Sequence, residues 1–249
     1  MKIFGLCVAV ATACAAQATG ATIIDNDDIA AALPVGGASS VTVGDVTVTG
    51  FNDFGLSSQV ETNFDVNPEG AGLVGGVPGQ IAVLDGPLDG VDPARIQAMV
   101  FDFSNPYDLE TLHVNRLFAG TSPADNFNEI ARIELKRVAG PTTVIELEST
   151  SDTSATVRVN GDDMSGLATA ADVPSDSFGF TLTFGLSPLF DGVTQMVLLP
   201  GNTSGGGRNG SDYKFVSLTG ELSPDPIPLP GAAVLFAGGL ALLLRRRSA

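Results

Sequence analysis

Phe178-Gly179-Phe180-Thr181-Leu182-Thr183-Phe184-Gly185-Leu186 is the stretch on which the fold turns. Its large apolar side chains fall on every second position, with Gly and Thr between them. A strand throws successive side chains to opposite faces, so a period of two puts Phe178, Phe180, Leu182 and Phe184 on one buried face. Similar runs lie on both sides. Val193 to Leu199 and Lys214 to Leu222 follow it. Before it, Ala155 to Val159 closes on the hairpin signal Asn160-Gly161. Ile130 to Val138 alternates Ile, Arg, Glu and Lys as a half-exposed strand would, and Gly140-Pro141 turns the chain back into Thr143 to Glu148. Ile96 to Phe103 and Leu109 to Phe118 read as two strands parted by Ser104-Asn105-Pro106, and Val41 to Val48 as a strand pair or bulged strand around Gly44-Asp45.

No stretch of this middle region carries a long 3.6-residue apolar pattern, and short β-branched runs are broken throughout by Gly, Pro, Asn and Asp. The expected fold is all-β: about ten short strands in a single β-sandwich, with a jelly roll as one form of it. Asp25 to Ala38, rich in Ala and Gly, reads as a loose lead into that domain.

The two ends read differently. Met1 to Ala18 has one charge, Lys2, then an apolar run and small residues ending in Ala16-Gln17-Ala18. That order is a secretory signal peptide with cleavage set by Ala16 and Ala18. Both cysteines, Cys7 and Cys14, fall within it, so the processed chain has neither a disulfide nor a thiol nucleophile. The far end runs Pro224-Asp225-Pro226-Ile227-Pro228-Leu229-Pro230, then apolar Gly231 to Leu244, then Arg245-Arg246-Arg247. The prolines make a stiff spacer. As a helix, the apolar segment covers about 21 Å at ~1.5 Å per residue, short of a hydrocarbon core of ~30 Å. The arginines would hold its end on the cytoplasmic side.

Ile227-Pro228-Leu229-Pro230-Gly231, the apolar helix and the Arg run together resemble the PEP-CTERM class of bacterial sorting signals, in the variant whose signature is Val-Pro-Leu-Pro-Ala. Ile stands for Val and Gly for Ala. The resemblance covers about the last 25 residues. It implies an exosortase-type transpeptidase as partner, transient membrane insertion through the helix, and a place at the cell surface, outer envelope or matrix of a Gram-negative bacterium that makes exopolysaccharide and biofilm. The expected layout is a signal peptide at 1–18, an acidic β domain at 19–222, a spacer with the Pro-Leu-Pro motif at 223–230, and a sorting helix with its Arg tail at 231–249.

Lys2 and Arg245 to Arg247 account for four of the twelve Lys and Arg, leaving eight against the 28 acidic residues of 19–230, a net charge of −20. Such a surface repels nucleic acid and anionic lipid. His113, the single histidine, lies mid-strand with no G-x-S-x-G elbow to serve and no second imidazole to share a zinc ion. No catalytic constellation is apparent, and no cofactor is called for. Carboxylates gather at Asp25, Asp27 and Asp28, at Asp85, Asp89 and Asp92 in a Gly/Pro-rich loop, and at Asp162-Asp163 after a turn. Calcium is the cation such oxygen-rich loops suit, and the last two groups are the candidate ligands, although no D-x-D-x-D-G loop is present. The chain has no Trp and only Tyr107 and Tyr213, which leaves few stacking platforms for sugars. The expected function is a non-enzymatic, exported envelope or matrix protein. The alternatives are a carbohydrate-binding module, with or without calcium, and a secreted glycoside hydrolase using two of the carboxylates.

Overall fold

A computed structural model describes residues 20–56, 59–75, 80–84, 95–120, 128–163, 168–173, 178–201 and 212–224. The chain enters as β1 (Ala21–Asp25) and α1 (Asn26–Ala32). A hairpin of β2 (Ser40–Val43) and β3 (Val46–Asn52) follows, then β4 (Val60–Glu61), the hairpin of β5 (Phe64–Asn67) and β6 (Gly70–Leu73), and β7 (Ile81–Leu84) with β8 (Arg95–Ile96). The 18-residue β9 (Ala98–Asn115) runs through the centre. After it come β10 (Ile130–Arg137), β11 (Thr143–Ser151), β12 (Ser154–Val159) and β13 (Asp162–Asp163), each antiparallel to the last. β14 (Ala168–Asp172) pairs with β15 (Phe180–Phe184), and β16 (Val193–Pro200) and β17 (Asp212–Leu222) complete the order.

Residues 96–118 do not form the two strands expected of them. Ser104-Asn105-Pro106 does not end a strand; β9 runs through it and changes partners there. Its first part lies between β3 and β16, its second between β15 and β17. Ser104 N–H donates to the Asp45 carbonyl at 2.9 Å, and the Pro106 carbonyl accepts from Ser223 N–H at 2.9 Å. A proline is tolerated where no ladder donor is needed, and the change of partner is such a place.

That crossing also corrects the β-sandwich and jelly-roll expectation. Because β9 belongs to both halves, the strands join in one sheet network rather than two separate sheets, and the network is not closed into a sandwich or barrel. Among the described residues β1 pairs only with β17 and β2 only with β3. Each leaves an edge.

Register explains how the network makes a core. Val159, Ile145, Ile133, Leu198 and Met99 stand side by side across β12, β11, β10, β16 and β9. The next row is Leu135, Met196, Phe101, Val48 and Val41. In the other half Ile24, Leu218, Leu112 and Leu182 align across β1, β17, β9 and β15. All of these are buried in one cluster. The rings of Phe101 and Phe215, 4.8 Å apart, join the two halves.

Phe180, Leu182 and Phe184 are buried on β15 as the alternation predicts. Phe178 is not on that face. Its φ of 59° turns it out of the strand, and its ring packs on Phe118 with centroids 4.4 Å apart. Asn160 and Gly161 both have positive φ, as the tight hairpin between β12 and β13 requires.

Asp25 to Ala38 is no loose lead. Asp25 caps α1: its Oδ1 accepts Asp28 N–H at 2.8 Å while Asp28 Oδ2 accepts Asp25 N–H at 3.1 Å, a reciprocal capping box. The helix buries Ile29 in the core. Asp25→Ala is therefore expected to cost about 1 kcal/mol, read from the urea midpoint, with Asp27→Ala costing less than half of that.

The expected transmembrane helix is also corrected. Among the described residues no helix is long and apolar enough to cross a membrane, and α1 has seven residues where a span needs about twenty. Residues 231–249, on which that expectation fell, lie outside the described ones, as do Met1 to Thr19 and the motif Ile227 to Gly231.

Candidate functional site

A buried cation, Lys214, the third residue of β17, centres one cluster of paired charges. Period two would send its neighbours Tyr213 and Phe215 to one face and Lys214 to the other, yet all three are buried, Lys214 being 3% exposed. The β5–β6 turn makes this tolerable. Lys214 Nζ donates to Asn67 Oδ1 and to Glu69 Oε2, both at 3.0 Å. Asn67 Oδ1 also accepts Glu69 N–H at 3.0 Å, which folds the turn so that the carboxylate meets the ammonium.

The end of β9 closes the other side. Asn115 Nδ2 donates to the Glu69 carbonyl at 3.1 Å, and Asn115 Oδ1 accepts Arg116 N–H at 2.7 Å. Arg116 has φ 63°, and this left-handed turn swings its guanidinium onto Glu69 Oε1. Gly70 completes the fit. At φ 139° it adopts a conformation that L residues avoid, and a Cβ there would lie 2.6 Å from the Phe215 carbonyl oxygen and 2.9 Å from Lys214 Cβ. Hydrogen bonds from Arg116 and then Lys214 hold the Glu69 carboxyl below its ordinary 4.5. Both of its oxygens are engaged by cations, so Glu69 is a staple and not a poised acid or base.

A second cluster joins Asp108, Asp191 and Arg137. Desolvation, then the neighbouring Asp108, raises the Asp191 carboxyl above its ordinary 3.8, while Arg137 draws it down. Asp108 Oδ1 accepts Gly192 N–H at 2.8 Å, and Arg137 donates to the Pro188 and Pro141 carbonyls at 2.6 and 3.1 Å. These contacts tie the β15–β16 loop to β9 and to the β10–β11 turn.

Asp85, Asp89 and Asp92, proposed as calcium ligands from the sequence, lie outside the described residues. Asp162 and Asp163 are exposed and pair with Val159 and Arg158. As neighbours on one strand they face opposite ways. Among the described residues no three or more of His, Cys, Asp and Glu are gathered as a metal site would need. Asp25 and Asp28 are spent on the helix cap. His113 lies half-buried in β9, opposite Thr181 and Ser217. Sequence reasoning passed over Glu69, Lys214 and Arg116. The available signal was a lysine set between two aromatics inside an apolar run, Tyr213-Lys214-Phe215-Val216.

No family model, curated protein or solved structure matches the chain. The expected partners and location are corrected accordingly. Nothing in these comparisons links the chain to an exosortase or an exopolysaccharide, and no described helix provides for transient insertion or for anchoring at an inner membrane.

Proposed function

We propose that the protein is an exported, non-enzymatic β domain whose role is structural. The observation that carries this is the meeting of two boundaries. The sequence reads as a signal-peptidase site at Ala16-Gln17-Ala18, and the first strand among the described residues opens at Ala21. Signal peptidase needs an extended, accessible site, and the first described strand starts three residues past Ala18. The charge of the domain agrees, since an acidic surface favours solubility and deters association with nucleic acid. So do its polar clusters: Glu69, Lys214 and Arg116 satisfy one another, and Asp108 and Arg137 are tied to backbone groups.

Secretion of the full chain from a Gram-negative host, followed by peptide mass spectrometry of the periplasmic or medium fraction, tests the reading. The expected amino terminus is Thr19. A cytoplasmic protein that retains Met1 to Ala18 would sink it.

A further inference from the structure

The start of β1 meets a carboxylate from two strands away. β17 lies between β1 and β9, pairing Ala21 with Gly220 on one side and Gly220 with Leu109 on the other. The next pair in that second ladder is Thr219 with Thr111, so Glu110 is the extra residue of a β-bulge. A bulge re-aims the side chain it carries. Here Glu110 crosses β17 to reach β1, and Gly20 N–H donates to its Oε2.

Glycines open the way. A Cβ at Gly220 would stand 2.4 Å from the Asp108 carbonyl oxygen and 3.0 Å from Ile23 Cδ1. A Cβ at Gly20 would stand 2.5 Å from Glu110 Oε2 and 3.0 Å from Oε1. Both carboxylate oxygens therefore face the first described residue of the chain. One backbone N–H is a small return for a half-buried carboxylate beside an open strand edge, and a cation would complete the site.

Cleavage after Ala18 supplies one. It frees the α-amino group of Thr19, a single residue, or about 3.6 Å of chain at most, from Gly20. At neutral pH much of this group is an ammonium. We propose that Glu110 is a binding site for the α-ammonium group released by signal-peptide cleavage, so that processing itself fastens β1 to the sheet. The uncleaved chain has a neutral amide at that position and makes no such pair. The inference rests on the export reading above, and the experiment separates the two.

The chain beginning at Thr19 and the same chain with Gln17-Ala18 retained ahead of it are compared, each with Glu110 and with Glu110→Gln. Glutamine keeps an acceptor for Gly20 N–H and removes only the charge. Glu110→Gln is expected to lower Tm by about 2–4 °C in the chain that starts at Thr19, and by no more than about 1 °C in the extended chain. Amide exchange of Ala21 to Asp25 should quicken in the first case only. Equal shifts in both chains would overturn the ammonium site even if Thr19 proves to be the mature terminus. Should secretion yield a different terminus, the export reading fails at the processing step, before any melting experiment.

Discussion

Phe101→Ala is expected to lower the free energy of unfolding by about 3–5 kcal/mol, the range for truncating a buried aromatic ring. The position explains the size of the effect. Phe101 is fully buried on the first part of β9, between Val48 of β3 and Met196 of β16. Its ring meets that of Phe215, which β17 contributes from the other half of the network, at 4.8 Å and 53°. The void would open where the two halves touch, bounded on both sides by hydrogen-bonded backbone that cannot readily collapse into it. A domain of this kind has a net stability of about 5–15 kcal/mol, so one ring is a large share. The measurement is the urea midpoint at unchanged slope. Val100, the next residue, points to the opposite face and belongs to a smaller cluster with Ala98, Val197 and Leu199. Val100→Ala should cost visibly less, and an equal loss at both positions would contradict the description of Phe101 as the junction.

What was legible in the sequence was local. Alternation placed Phe180, Leu182 and Phe184 correctly because a period of two needs no partner to be read, and Asn160-Gly161 announced its own turn. Phe178 fell off the face because a positive φ is set by neighbours, here the Leu117 N–H that its carbonyl accepts at 3.1 Å. The sandwich expectation failed on Pro106. From sequence a proline ends a strand, whereas in the structure it stands where β9 exchanges one set of partners for another, a long-range fact. β6 was invisible for the opposite reason. Gly70-Ala71-Gly72-Leu73 lacks the bulky residues that mark strands, yet all four are buried, because close approach to β17 excludes side chains there. The polar cluster was beyond reach as a constellation, since Lys214 and Glu69 lie 145 positions apart. Asp25 and Asp28 read only as part of an acidic cluster, because composition does not reveal a cap. Three-residue spacing ahead of Ile29 was the sign of the cap.

Glu69→Gln is expected to be more damaging than Lys214→Met, although the two remove opposite ends of one ion pair. Lys214 is 3% exposed while the Glu69 side chain is 46% exposed. Replacing the carboxylate by an amide leaves an ammonium inside the protein with neutral acceptors, Asn67 Oδ1 and the new amide oxygen, and no compensating charge beside it, the costly situation for a buried ion. Losing one partner of a fully buried pair costs about 3–5 kcal/mol, and the exposure of Glu69 brings the expectation down to about 2–3. Lys214→Met keeps the length of the stem, removes the charge that had to be buried, and leaves Glu69 with Arg116 at the surface. That change should lie within about 1 kcal/mol of the parent, in either direction. The double variant should recover most of what Glu69→Gln loses, because no buried ammonium remains to be compensated; a double variant as unstable as Glu69→Gln would show that the turn, not the charge, is what Glu69 supports. Acid should mimic the single variant. Arg116 and Lys214 hold the Glu69 carboxyl below its ordinary 4.5, so its contribution is present above that pH and is lost as the pH falls through the depressed folded-state value. The stability difference between the parent and Glu69→Gln should therefore shrink steadily as urea unfolding is repeated below about pH 4.5, while the difference between the parent and Phe101→Ala stays level over the same range.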